Sequence, residues 1–210
     1  MRYLHVTLAV LLLAVVAPGP ATAGAPTEQL QRHVDAVVRT LEDPALKSKP
    51  AERRAAVRKI SEEVFDYRDT ARRALGRHWS ARTPQEQEEF VKLFADLLDR
   101  AYFSKIEQYQ GEKVRYTDET IDGPEAVVKT LIVTPKGSEV PVDYRMRLAD
   151  GRWLVYDVAI EGVSLVANYR TQFNKIVQTE SYESLARKLR AREATPAASG
   201  GASPRGASPR

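Results

Sequence analysis

Apolar residues recur every three to four positions through the first half of the chain, which is the spacing of amphipathic helices. The run TEQLQRHVDAVVRTLED at residues 27–43 predicts a first helix with Thr27 as its N-cap. A second helix is expected after Pro50, and FDYRDTARRALGRHW predicts a short third helix that ends at Gly76.

A fourth, longer helix is predicted from three start signals that coincide. Thr83 is expected to be the N-cap, Pro84 occupies the first helical position, and Glu86 completes a capping box. The apolar residues that follow, from Phe90 to Tyr109, form an arc wider than a single surface stripe requires. We therefore expect this helix to be covered on more than one side.

After Gly111 the hydrophobic period changes from 3.6 to 2, which predicts strands. Four strands are expected, KVRYTDET, AVVKTLIVT, EVPVDYRMRL and RWLVYDVAI, joined by turns at DGPE, PKGS and ADGR. The third strand alternates apolar and charged residues, so one of its faces is expected to be solvated. The fourth is apolar on both faces and should be central. Trp153 and Val155 are predicted on one face, with Leu154, Tyr156, Val158 and Ile160 on the other. Two final helices are expected, opening near Ser164 and carrying Tyr182.

The two ends of the chain differ from its middle. Residues 1–23 combine a short basic start, the apolar run VTLAVLLLAVV and the cleavage signal ATA, and we interpret them as a signal peptide removed before Gly24. The alternative is a membrane anchor, which needs about 18 or more apolar residues. Residues 194–210 end in two copies of GASPR and have no large apolar residue, which predicts a disordered tail. The folded domain is thus expected at 24–193.

Composition excludes several kinds of site. There is no Cys, the three His are not clustered, and no Gly-rich phosphate loop or G-x-S-x-G turn is present, so no metal, disulfide or cofactor is expected. The net charge is +4, and residues 162–210 hold 8 Lys or Arg against 3 acidic residues. A solvated helix face explains this excess most simply; contact with an anionic membrane or an acidic partner is the alternative. Nucleic-acid binding is not supported.

Asp157 is the strongest candidate for chemistry, because it is an acid within a strand that is apolar on both faces. Such a carboxyl can have a raised pKa and act as a general base. More often, a buried Asp accepts hydrogen bonds from backbone N–H groups or from an Arg. Arg170 lies across a tight strand-to-helix turn and is the expected partner. We interpret Asp157 as a structural strut.

The segment WLVYDVAIEGVSLVANYRTQFNKIV, preceded by FVKLFADLL, YFSKIEQYQGEKVRYTDETI and VPVDYRMRLADGRW, resembles the MlaC or toluene-tolerance family of periplasmic phospholipid carriers. The similarity covers about residues 28–190. It implies an α+β fold of the nuclear-transport-factor-like kind, in which a curved antiparallel sheet of four to five strands and several helices surround an apolar cavity. The family motif carries over, as framework rather than catalysis, to Asp157, Gly162, Ser164, Asn168, Tyr169, Arg170 and Phe173.

The resemblance also implies a function. The protein would be a monomeric carrier, not an enzyme, that shuttles phospholipid between an outer-membrane lipoprotein–porin complex and an inner-membrane complex of a ring-forming lipid-binding protein with an ABC transporter. That transport would maintain the lipid asymmetry of the outer membrane. The residues expected to contact acyl chains are Phe94, Leu97, Leu98, Tyr102, Val142, Tyr144, Met146, Val166 and Phe173. For each of them, ordinary dry core is the alternative. A hopanoid carrier, an enzyme with Asp157 as base, and an adaptor without lipid are the alternative functions.

Overall fold

Six α-helices, one 3-10 turn and five β-strands make up residues 25–193, the part of the chain that this computed structural model describes. The signal peptide and the tail predicted from the sequence lie outside the described residues. The elements are α1 (Pro26–Glu42), α2 (Pro50–Val64), α3 (Tyr67–Leu75), the 3-10 turn (Gly76–His78), α4 (Pro84–Glu107), β1 (Lys113–Asp122), β2 (Glu125–Val133), β3 (Glu139–Ala149), β4 (Arg152–Ile160), β5 (Val163–Ser164), α5 (Leu165–Thr179) and α6 (Tyr182–Glu193). The predicted α+β fold is confirmed.

Local start and stop signals fix the ends of the helices. At α4 the Thr83 side chain accepts a hydrogen bond from the Glu86 N–H at 3.2 Å, and the Glu86 carboxylate accepts one from the Thr83 N–H at 2.7 Å. This is the predicted capping box. Gly76 ends α3 with φ 56°, also as predicted. The N-cap prediction for α1 was wrong, because the helix begins at Pro26 and the Thr27 N–H donates to Glu119 instead.

Replacing Thr83 by Ala is expected to lower the free energy of unfolding by about 1 kcal/mol, since the Glu86 N–H loses its acceptor. Urea denaturation should show a lower midpoint with an unchanged slope. Ser80→Ala, in the exposed turn before α4, is the matched control and should change the midpoint little. Equal losses in the two variants would contradict a special contribution from the capping box.

The sheet is an antiparallel meander in the order β1-β2-β3-β4-β5. Three of its connections are two-residue turns, and in two of these, Asp150-Gly151 and Glu161-Gly162, both residues have positive φ. Turns of this kind match the twist of the strands they join. The second turn brings the chain directly from β4 through β5 into α5, so the position of α5 is tied to the end of β4.

Two β-bulges alter the faces of the sheet. Thr117 is the extra residue in β1, and Tyr156 is the extra residue in β4, where Asp157 pairs with Arg145 but Val155 pairs with Met146. A bulge bends its strand and reverses the alternation of side chains beyond it. Trp153, Val155, Val158 and Ile160 therefore share one face, and the prediction that divided them between two faces was wrong.

Buried apolar side chains form two separate clusters. The helical cluster joins α3, α4, α5 and α6, with Phe90, Phe94, Phe173 and Leu185 among its members. The sheet cluster joins α1 and α2 to one face of the sheet, which we call the inner face, and consists of Leu30, Val64, Ala126, Val128, Met146, Trp153 and Val155. Helix α4 is indeed covered on more than one side, because Phe103 is buried beneath the Arg54 guanidinium of α2 at 4.4 Å.

Candidate functional site

A small cavity of about 30 Å³ lies where α4, β4 and the start of α5 meet. Most of its lining is apolar. The lining residues are Phe65, Thr70, Phe94, Leu98, Tyr156, Asp157, Val158, Leu165 and Val166. Because Phe94 and Val166 belong to the helical cluster and Val158 packs against the sheet cluster, the cavity marks the junction between the two cores.

A larger set of apolar side chains near this junction is only partly buried. Helix α1 follows β1 from its end to its start: the Thr27 N–H donates to Glu119 of β1, and Glu42 accepts a hydrogen bond from Tyr109, just before β1, at 3.1 Å. The C-terminal halves of α1 and α4 therefore lie beside the same end of the inner face. We call the region bounded by these two helix ends and this end of the inner face the hollow. Its partly accessible borders are Val37, Val38, Leu41, Tyr102, Ile106, Val114, Ile132, Val140 and Ile160.

The strand residues of the hollow form rows across the inner face. Val114, Ile132 and Val140 are register partners and make the row at the end of the sheet. Tyr116, Thr130, Val142 and Ile160 make the next row inward. The sheet cluster closes the opposite end, where Trp153, Val155 and Met146 are buried beneath α1 and α2. Partly accessible side chains thus lie at one end of the hollow, which we call its open end, and enclosed side chains lie at the other.

Tyrosines introduce hydroxyl groups into this apolar region. Burial raises the pKa of Tyr144 to about 12, although the side chain keeps some accessible surface. Burial also raises the pKa of Tyr102 to about 12, with a smaller contribution from its hydrogen bond to Tyr169.

Asp157 is held by three donors. Its Oδ1 accepts from the Val166 N–H at 3.0 Å, and its Oδ2 accepts from the Ser164 hydroxyl at 2.6 Å and from Arg145 Nη1 at 2.9 Å. The Ser164 oxygen in turn accepts from the Ala167 N–H at 3.0 Å as the N-cap of α5. The carboxylate therefore joins β4 to the N-terminus of α5, where a negative charge is also favoured by the helix dipole.

The prediction that Arg170 is the partner of Asp157 was wrong. The bulge at Tyr156 places Asp157 opposite Arg145 on β3, and the cross-strand pair forms there. The aliphatic part of Arg170 lies instead over Gly76, so close that a Cβ at that glycine would be 3.2 Å from Arg170 Cδ.

Ion pairs connect α2 to α4 on the outer side of the site. Arg58 pairs with Asp96 at 2.8 Å, and Arg54 pairs with Glu107 at 3.4 Å. A groove of about 460 Å³ lies between the two helices, with Val91, Ala95 and Tyr67 in its lining and charged side chains around them. Burial raises the pKa of Asp99 in this groove.

A family model described as MlaC protein matches residues 31–191. The chain belongs to the MlaC family. A curated relative from Haemophilus influenzae, the intermembrane phospholipid transport system binding protein MlaC, is 20% identical over 122 residues, which are 56% of this chain and 57% of the relative. The chain thus spans little more than half the length of that relative.

A solved structure extends the match to most of the fold. The phospholipid-binding protein from Ralstonia solanacearum, determined in complex with a phospholipid, superimposes with a TM-score of 0.75 and 27% sequence identity. The match covers 81% of this chain and 98% of that one. The family and the fold class predicted from the sequence are therefore confirmed.

The residues predicted from the resemblance to form the motif lie around the start of α5. Gly162 adopts φ 80° in the turn before α5, and Asn168 is exposed and accepts a hydrogen bond from Gln172 at 3.1 Å. Tyr169 and Phe173 pack their rings against Phe94 of α4, with centroid distances of 5.2 and 5.3 Å. The motif thus connects β4, α5 and α4.

The side chains predicted to contact lipid occupy different environments. Phe94, Leu98 and Val166 line the small cavity, and Tyr102 borders the hollow. Leu97 and Phe173 are buried in the helical cluster, and Met146 is buried in the sheet cluster with Tyr144 against it. Val142 is buried in the second row of the inner face. Which of them contact lipid stays a prediction.

Several residues of the hollow were not among the predicted lining residues. They are Val37, Val38, Leu41, Ile106, Val114, Tyr116, Ile132, Val140 and Ile160. Their signal in the sequence is apolar periodicity, which dry core residues share, so only the path of α1 and the strand register separate the two groups.

Within residues 25–193, no group of three or more His, Asp or Glu side chains is arranged to hold a metal ion. None of the helices in that range is long and apolar enough to span a membrane.

Proposed function

We propose that this protein is a phospholipid carrier that holds acyl chains in the hollow and leaves the head group near its open end. The observation that carries the proposal is the phospholipid in the Ralstonia solanacearum structure, whose chain is matched over 98% of its length at a TM-score of 0.75. The partly accessible apolar residues between α1, α4 and the inner face supply a surface of the required kind.

The energetics of transfer explain why a carrier needs such a surface. Each methylene removed from water contributes about 0.8 kcal/mol, so a chain of about 16 carbons gains roughly 12 kcal/mol in a bilayer. A carrier that takes lipid from a membrane must offer nearly the same gain. Apolar side chains that retain accessible surface, such as Val140 and Ile160, can provide it, whereas side chains already enclosed in dry core cannot.

We also infer where the protein acts and with which partners. The carrier acts in the periplasm as a monomer, after removal of residues 1–23, with a folded domain at 24–193 and a tail at 194–210. It moves phospholipid between an outer-membrane lipoprotein–porin complex and an inner-membrane ring-forming protein with an ABC transporter, and so maintains outer-membrane asymmetry. The Haemophilus influenzae relative is named as the binding protein of an intermembrane phospholipid transport system, which supports the transport of phospholipid between membranes.

The contacts of Asp157 favour a carrier over an enzyme. A general base needs an oxygen lone pair directed at the substrate proton. Both oxygens of Asp157 instead accept hydrogen bonds from Arg145, Ser164 and Val166. The function of this carboxylate is therefore to hold α5 on β4.

Protein purified from its native envelope is expected to contain phospholipid, identifiable by mass spectrometry of the extracted lipid. Because lipid binds only the folded state, a concentration 100 times the dissociation constant should stabilise that state by about 2.7 kcal/mol, and stripping the lipid should lower the melting temperature. A hopanoid in the extract would change the cargo but keep the carrier. Protein that carries no lipid, takes none from vesicles and melts identically with and without them would contradict the proposal.

A further inference from the structure

The Tyr116 hydroxyl is buried and, within the described part of the chain, has no hydrogen-bond partner. Leaving a buried hydroxyl unpaired is unfavourable, and native proteins rarely do so without a ligand or water at the site. The Thr130 hydroxyl, directly opposite on β2, is paired, since it donates to the Val142 carbonyl at 2.8 Å. Tyr116 is therefore an available donor.

Its position is one row inside the open end of the hollow. Tyr116 shares the inner face with Thr130, Val142 and Ile160, and the row of Val114 lies between it and the end of the sheet. Three residues of strand from Lys113 to Tyr116 correspond to roughly 10 Å. A lipid whose head group lies at the open end would place the joint between glycerol and acyl chains at about this depth.

The groups around the Tyr116 hydroxyl determine which kind of acceptor it can bind. Burial raises the pKa of Tyr116, so the group remains a protonated donor at neutral pH. The charged group that acts on it is Asp35 of α1, with the Tyr144 hydroxyl nearby on the same face. A negative charge at this position disfavours a phosphate or free carboxylate. A hydrocarbon chain offers no acceptor, whereas an ester carbonyl is a neutral acceptor attached to apolar chains.

We propose that the Tyr116 hydroxyl donates a hydrogen bond to an ester carbonyl of the bound lipid, so that the hollow selects ester-linked over ether-linked diacyl lipids. This inference rests on the proposed carrier function and adds to it the chemistry of the linkage. Tyr116 is a specificity residue, because apolar contacts along the chains do not distinguish an ester from an ether.

The test compares two phospholipids with the same phosphoglycerol head group and the same 16-carbon chains, one a diester and the other a diether, each supplied in vesicles to lipid-free protein. Wild-type protein is expected to bind the diester about 10-fold more tightly, since the diether leaves the buried hydroxyl unpaired. In Tyr116→Phe the preference should disappear, with diether binding unchanged within about 2-fold.

Tyr182→Phe is the matched control. Its hydroxyl donates to the Glu86 carbonyl at 3.0 Å within the helical cluster, and its removal should leave the preference for the diester intact. Equal binding of both lipids by wild-type protein would overturn the inference while leaving the carrier function standing. Equal weakening of both lipids by Tyr116→Phe would assign the residue a structural role and also overturn it. Failure to bind either lipid would remove the proposed function together with the inference.

Discussion

Asp157→Ala is expected to lower the free energy of unfolding by about 3 kcal/mol, near the low end of the range of about 3–5 kcal/mol for breaking a buried charged pair. The substitution leaves the Val166 N–H and the Ser164 hydroxyl without their acceptor at the start of α5. The Arg145 side chain is 43% exposed and can be rehydrated, which limits the loss. Chemical denaturation measures the change directly.

Two further variants separate the contribution of the Arg145 ion pair from that of the contacts with Ser164 and Val166. Arg145→Ala should destabilise by less than Asp157→Ala, because the carboxylate keeps its two donors from Ser164 and Val166. Asp143→Ala removes a carboxylate from the same face of the neighbouring strand and should cost little. If Asp157→Ala were as stable as Asp143→Ala but had lost a chemical turnover, the enzyme interpretation would replace the carrier.

The elements that the sequence predicted well are those specified by local chemistry. Thr83, Pro84 and Glu86 determine the start of α4 through contacts within one turn. Gly76 ends α3, and Ser164 caps α5, for equally local reasons. These signals depend on residues within four positions of each other, so the chain alone contains the required information.

The errors arose where a contact joins distant residues or where one extra residue shifts the register. The bulge at Tyr156 reversed the faces of β4 beyond it and gave Asp157 to Arg145 rather than to Arg170. Hydrophobic periodicity contains no sign of a single unpaired residue. It also describes Val140 and Met146 equally, as inward residues of one strand, although only Met146 is enclosed in a core cluster.

That difference between Val140 and Met146 predicts opposite effects for the same substitution. Both lie on the inner face of β3, but Val140 keeps accessible surface in the hollow whereas Met146 is 1% exposed. Val140→Trp is expected to leave the protein folded and to weaken lipid binding at least about 10-fold, since displacing two methylenes of the chain removes roughly 1.6 kcal/mol. Lipid titration and thermal melts measure both quantities.

Met146→Trp is the matched control, and it should lower the stability of the fold while leaving lipid binding intact. A larger side chain in an enclosed core lowers the free energy of unfolding by roughly 1–3 kcal/mol. The melting temperature of this variant should therefore start lower but still rise on addition of lipid, whereas that of Val140→Trp should start near the wild-type value and respond little. The opposite pattern would mean that Val140 belongs to dry core and that Met146 contacts the acyl chains, as the sequence predicted. Lipid contacts would then extend to Trp153 and Val155. The row of Val114, Ile132 and Val140 would be dry core, so lipid could not enter past it to place an ester linkage at Tyr116.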